Sequence, residues 1–260
     1  MNATDFRTKE PGMPRWSVLV YGAVSYLIFL ASFVYAVGFV GNVVVPKGID
    51  DGAIGSVSVA IAVNLVLLSL FAIQHSVMAR PAFKRWWTQI VPPPAERSTY
   101  VLASSLVLIL LFWQWRPLPE VVWQVENLLG RGVAWSLFCA GWCVVLLSTF
   151  LINHFDLFGL RQVYLYATGQ PYTSLRFRTP SLYRLVRHPI MLGFVIAFWA
   201  TPSMSQGHLM FAAVTTAYIL VAIQLEERDL LAYHGQEYAG YRQQVRMLLP
   251  IPKPGPRRAP

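Results

Sequence analysis

Four clusters of polar side chains stand at the ends of long apolar runs in this sequence, and each has chemistry open to it. Asn153-His154-Phe155-Asp156 sets an imidazole close to a carboxylate at an expected membrane boundary, a costly place for an idle pair. It reads either as a proton-transfer pair or as an interfacial end-cap in which Asp156 pairs with Arg161. The stretch Tyr183 to Gly193 reads as a helix entry, with Pro189 suited to a first turn, His188 at its mouth and Arg187 just outside. Free backbone N–H groups there suit a ligand carboxylate or hydroxyl, and plain helix initiation is the competing account. Glu226-Glu227-Arg228-Asp229 leaves another apolar run and is followed by Tyr233, His234, Tyr238 and Tyr241. Acids in that position call for ribose hydroxyls, an amine or an internal arginine as partner, unless the helix there is simply solvated. His75, between Gln74 and Ser76, is a further proton-transfer candidate or a helix cap.

Several other chemistries are excluded. No Gly-rich dinucleotide loop follows a strand, and no P-loop or Gly-x-Ser-x-Gly occurs, so a soluble Rossmann-type enzyme is ruled out. Cys139 and Cys143 are the only cysteines; they share a helix face as small apolar side chains and imply neither a disulfide framework nor a metal site. Any nucleotide-like cofactor must therefore be held by helix ends and loops beside a membrane.

The elements that position these clusters follow from composition. Of 260 residues, 55% are hydrophobic and only 13% charged, outside the usual soluble range. Apolar runs at 17–45, 54–75, 100–115 and 133–152 contain no Lys, Arg, Asp or Glu and can cross a core of roughly 30 Å. The run 190–225 is too long for one ordinary span, and Pro202, Ser203 and Gly207 supply turn chemistry near its middle, which predicts a helical hairpin with arms of roughly 15 residues. The expected fold is all-α: a polytopic integral membrane bundle of four plain spans and a C-terminal hairpin. It forms one domain over 1–260, with a cytoplasmic cofactor cleft and a tail at 226–260. Pro92-Pro93-Pro94 makes a stiff turn before the third span, and Pro117 and Pro119 stop it.

Basic residues orient the bundle. Arg7, Lys9 and Arg15, then Arg80, Lys84, Arg85 and Arg97, then Arg161, Arg176, Arg178, Arg184 and Arg187, and six more in the tail fall on one side. Only Lys47, Arg116 and Arg131 fall on the other, so both termini and the long basic loops are expected in the cytoplasm. The first span lacks a cleavage site and is expected to be retained. The net charge of +9 then reflects membrane anchoring and anionic lipid rather than nucleic acid. Ala79 to Gln89, with Lys84, Arg85, Trp86 and Trp87, reads as an interfacial, lipid-binding segment.

The second and third clusters together resemble the isoprenylcysteine carboxyl methyltransferase superfamily, whose pattern is Arg-His-Pro-x-Tyr-x-Gly, a hairpin, Glu-Glu-x-x-Leu, Phe-Gly and paired tyrosines. Arg187-His188-Pro189, Gly193, Glu226, Glu227, Leu230, Gly235, Tyr238 and Tyr241 match it, while Met191 and His234 replace the family's Tyr and Phe. Gln74 to Arg80 and Asn153 to Leu160 are similar to a bacterial branch, the methanethiol S-methyltransferases, which sit beside the NnrU-like membrane proteins. The resemblance implies S-adenosylmethionine as methyl donor, a small volatile thiol as acceptor and a bacterial cytoplasmic membrane location. By carry-over, Tyr183, His188, Pro189, Gly193 and Glu226 contact the donor with Glu227 nearby, and Phe177, within Leu175 to Arg178, is a further candidate. For ionising the thiol, His154 with Asp156 comes first and His75 second, with Arg187 or Arg161 stabilising the thiolate. Three alternatives stay open: another thiol or prenylcysteine-like acceptor, an NADPH-dependent reductase using the arginines of the third basic loop, and a non-enzymatic NnrU-like accessory or transport protein.

Overall fold

The structure is a computed structural model that describes residues 14–251. Arg7, Lys9, Lys253, Arg257 and Arg258, five of the orienting cations, lie outside the described residues. The chain is mostly helical: α1 (Arg15–Gly41), α2 (Val57–Ala79), α3 (Pro81–Trp87), α4 (Glu96–Gln114), α5 (Leu128–Ile152), α6 (His154–Leu157), α7 (Leu160–Ala167), α8 (Pro189–Trp199), α9 (Gln206–His234) and α10 (Gln236–Gln244). Among the described residues, the departure from an all-α fold is a short ribbon, β1 (Val121–Gln124) paired antiparallel with β2 (Ser203–Ser205). Five helices are long and apolar enough to cross a membrane: α1, α2, the run Pro93–Gln114 that contains α4, α5 and α9. They mark the chain as an integral membrane protein.

The region expected as a symmetric hairpin is unequal. Its first arm, α8, has 11 residues, about 16 Å of helix, too short to span a bilayer alone. Its second arm, α9, has 29 residues and continues through Glu226 and Glu227 to His234, because Leu230, Leu231 and their charged neighbours are good helix formers. The turn between the arms falls at Pro202 and Ser203, where the chain pairs with β1 and where Ser205 caps α9 by accepting from His208 N at 3.0 Å.

The chain folds as two compact units. The first comprises Met1–Pro117 and Asn153–Arg176. In it α4 packs on both α1 and α2, and α7 lies on α1, where Gly22 leaves room for Val163. At one end Lys47 Nζ caps α4 by donating to the carbonyls of Trp113 (2.6 Å) and Trp115 (2.9 Å). The buried Asn64 side chain accepts from Arg116 N and donates to its carbonyl, so the polar groups at this helix end are satisfied internally.

The second unit comprises Leu118–Ile152 and Phe177–Pro260. Its centre is the crossing of α5 and α8, where two backbones touch through glycine. A Cβ on Gly141 would lie 2.6 Å from Ala197 N, and one on Gly193 would lie 2.7 Å from Gly141 O. Close packing through small residues is a familiar way to join helices in lipid, where the hydrophobic effect offers no drive. Trp142, Phe194, Phe198 and Phe211 close edge-to-face around the crossing.

Gly193→Ala should therefore cost about 1–3 kcal/mol by overpacking and lower the melting temperature in detergent by several degrees. Gly132→Ala on the same α5, where a new Cβ meets nothing within 4 Å, should be neutral or slightly stabilising. Thermal denaturation of the two variants beside wild type checks the contrast.

Candidate active site

The polar end of the second unit is built around one turn. Arg187 N donates to Arg246 O (2.9 Å) and His188 N to Met247 O (3.2 Å), so the segment before α8 runs parallel to the chain after α10. Pro189 occupies the first turn of α8, and His188 is its N-cap. The Tyr241 hydroxyl donates to Tyr183 O, and the Tyr183 hydroxyl to Ser148 O at 3.4 Å. This backbone stitching buries Val186, Arg187, His188 and Tyr183 together.

Into that turn α9 sends two adjacent carboxylates with opposite surroundings. Successive helix positions are rotated by about 100°. Ile219, Ile223 and Glu227, spaced by four, form one buried stripe, whereas the Glu226 side chain is 47% exposed. Glu227 Oε1 accepts from Arg187 Nε (2.7 Å) and His188 Nε2 (3.1 Å), and its Oε2 pairs with Arg242 Nε at 3.1 Å. Arg187 Nη1 also donates to the carbonyls of Arg242 and Val245. On the imidazole's other side, Nδ1 stands 3.5 Å from Glu226 Oε2. Burial alone would lower the His188 pKa, but hydrogen bonding and charge from Glu226, then from Glu227, hold it above its ordinary value. Burial, offset in part by Arg187 and reinforced by Glu227, pushes the Tyr241 phenol up to about 12.

An open cleft of about 510 Å³, within the size range of small-molecule sites, is lined by Arg187, Leu231, Ala239, Arg242 and Gln243. Phe177 lies nearby on an aromatic patch, its ring 5.0 Å from His234, 5.5 Å from Tyr241 and 5.9 Å from Tyr238. Gly193, expected at a ligand, is taken up by the α5 crossing.

The remaining sequence candidates belong to the first unit. His154 is 4% exposed; its Nε2 and the Tyr26 hydroxyl share a 2.8 Å hydrogen bond whose direction the tautomer sets. Tyr26, Phe155 and Phe158 surround the imidazole, and burial holds its pKa below the ordinary value. Asp156 Oδ1 accepts from Arg161 Nη1 at 2.8 Å, and Arg161 also donates to Thr173 O and Oγ1. That is the pairing of the end-cap reading, and it commits Arg161 just as Glu227 commits Arg187. His75 sits inside α2, its Nε2 2.7 Å from the Tyr100 hydroxyl and its Nδ1 3.2 Å from Ser104 Oγ.

Both histidines thus meet a tyrosine that sequence reasoning passed over. Tyr26 and Tyr100 are polar tips within otherwise apolar helices, and that is the only signal they offer. The internal arginine expected for the acidic pair is present twice, at Glu227, but which of the two acids it would bind was legible only from the four-residue spacing behind Ile219 and Ile223.

Five spanning-length helices with a charged cluster at one short helix entry define a polytopic helical membrane protein with a charged, polar helix entry. A family model described as NnrU protein matches residues 64–229, and the chain belongs to that family. It is 60% identical to a methanethiol S-methyltransferase of Mycobacterium tuberculosis, over 92% of this chain and 98% of the relative. It is 58% identical to methanethiol S-methyltransferase 2 of Bradyrhizobium diazoefficiens, over 91% of each. A methanethiol S-methyltransferase of Crocosphaera subtropica is 56% identical, over 92% of this chain and 94% of its own. No solved structure matches the chain.

Two of the three buried imidazoles, His188 and His154, make opposite demands on pH. His188, raised in the fold, contributes stability that is fully present below its unfolded pKa of about 6.5 and is lost as pH rises through its folded value. His154, lowered in the fold, contributes stability that is present above about 6.5 and is lost as pH falls through its folded value. Thermal stability in detergent should decline on both sides of that region, with His188→Asn flattening the alkaline limb and His154→Asn the acid limb.

Proposed function

We propose that this chain methylates methanethiol to dimethyl sulfide with S-adenosylmethionine as methyl donor. The 60% identity across 92% of the chain supports the reaction. Its location is supported by one observation, the half-exposed Glu226 carboxylate 3.5 Å from a His188 that is buried on its other side.

The residues present suit such a donor. S-adenosylmethionine carries a sulfonium, an ammonium, a carboxylate, ribose hydroxyls and adenine. Glu226 offers an acceptor for hydroxyls or ammonium, and Arg242 and Gln243 on the cleft offer donors for a carboxylate. Phe177 and Tyr241 offer aromatic faces, which attract cations and stack on bases. Tyr183, His188 and Pro189 shape the turn, Gly193 sets α8 against α5, and Glu227 stands behind His188. When bound, S-adenosylmethionine supplies an electrophilic methyl group on a positively charged sulfur. As a thiolate sulfur bonded the methyl carbon, the bond from that carbon to the sulfonium sulfur would break and S-adenosylhomocysteine would leave, so opposite charges would cancel and a low-dielectric site would carry no penalty.

Ionising the thiol is the harder demand. An alkyl thiol titrates roughly two to three units above neutral pH, which leaves about 3–4 kcal/mol to find. A buried imidazole held neutral is a competent proton acceptor at pH 7, which favours His154, poised by Tyr26, over His75. Asp156 fixes the loop beside His154 through Arg161 rather than offering a free carboxylate. The basic residues of Arg15, the α2–α4 loop and the region after α5 support a cytoplasmic membrane location with cytoplasmic termini.

Bacteria expressing the chain and fed methanethiol should release dimethyl sulfide into the headspace. Glu226→Gln should lower release at least tenfold, and His154→Ala should lower it most at neutral pH. Release no greater than from vector alone would overturn the assignment. So would purified protein that binds NADPH but not S-adenosylmethionine.

A further inference from the structure

Glu227 occupies a place where α9 calls for an apolar side chain. It is the next turn of the stripe formed by Ile219 and Ile223, and it is 2% exposed. Both its oxygens are engaged, Oε1 by Arg187 and His188 and Oε2 by Arg242. A carboxylate so enclosed has no face left for a ligand. Its neighbour Glu226 is the reverse case, exposed and touched only by His188 Nδ1 among the ion pairs found. The imidazole therefore bridges the two, one nitrogen turned to each carboxylate.

We propose that Glu227 is a positioning residue of the methyl-donor site: it holds His188 with Nε2 turned inward, so that Nδ1 faces Glu226 and presents that exposed carboxylate to the donor. The role rests on the methyl-donor reading given above. It separates two adjacent acids by task, Glu226 touching the donor and Glu227 acting through His188. The charged and titratable groups around the imidazole are Glu226 and Glu227 on α9, Arg187 on its own segment, Arg242, Tyr238 and Tyr241 on α10, and Tyr183 in the preceding turn. The three phenols are all held above the ordinary tyrosine value by burial first, so they stay neutral across the working range. Imidazole is the side chain whose charge ordinarily changes near neutral pH, so His188 is the switchable member of the group. When it deprotonates, Glu226 loses its tether.

The test is S-adenosylhomocysteine binding to the full chain in lipid nanodiscs by calorimetry from pH 5.5 to 9, beside a histidine NMR titration in which His188→Asn identifies the His188 signal. Wild-type affinity should weaken as pH rises through the His188 midpoint. Glu227→Gln should move that midpoint about one unit to lower pH, leaving affinity within about threefold of wild type at pH 5.5 and about tenfold weaker at pH 7.5. Glu226→Gln should lose affinity at every pH. Arg242→Gln, an exposed change that serves if Glu227→Gln does not fold, should move the midpoint to higher pH. A Glu227→Gln profile that is uniformly weakened like that of Glu226→Gln, or a midpoint unmoved by either Glu227→Gln or Arg242→Gln, would overturn the positioning role. Wild-type protein that binds no S-adenosylhomocysteine at any pH would instead remove the methyl-donor reading, and the positioning role with it.

Discussion

A single carboxylate at the end of an apolar stripe organises the second unit. Glu227 is 2% exposed in a helix long and apolar enough to cross a membrane, and a buried acid left unpaired is among the costliest groups a helix can carry. The chain answers with three cationic partners from two other segments, so α8's entry, α9 and α10 are held by the same two oxygens. Replacing a buried ion cluster by apolar side chains is often neutral or stabilising, so stability alone does not account for its presence. What it secures is geometry: Arg187 is pulled inward, His188 is fixed at a helix N-cap, and Glu226 is left as the one acid of the pair facing outward.

The local backbone serves the same end. The parallel bridge between Val186 and Arg246 satisfies the N–H groups of Arg187 and His188, and proline at 189 removes the next one. On the other side of α8, Gly141 and Gly193 bring two helix backbones into contact, which fixes the short helix that the polar turn begins. The first unit is built differently, around aromatic enclosure of a neutral histidine and internal capping of α4 by Lys47, where burial and nearby Arg116 hold the ammonium below its usual pKa.

Much of this is legible in the sequence, and the limits have physical causes. Uncharged runs read directly as spans because hydrocarbon tolerates little else. Helix ends are less legible: α5 begins at Leu128 and includes Arg131, since a lone arginine near a membrane surface extends to water without ending a helix. The unequal hairpin escaped because Glu226 and Glu227 look like an exit from the membrane, although both are good helix formers. Tyr26 and Tyr100 escaped because a tyrosine in an apolar run carries no mark of the histidine it will meet. Of the two readings open for Asp156, partner of His154 or of Arg161, its carboxylate takes the second and bonds Arg161.

The most direct test of the account asks where the methyl donor touches the chain. Purified protein in nanodiscs, irradiated with methyl-tritiated S-adenosylmethionine and mapped by peptide mass spectrometry, should carry label within Tyr183 to Gly193 or Glu226 to Gln243, and excess S-adenosylhomocysteine should suppress it. Suppressible label confined to the first unit, around His154 or His75, would contradict the placement of the donor at the Glu226–His188 pair.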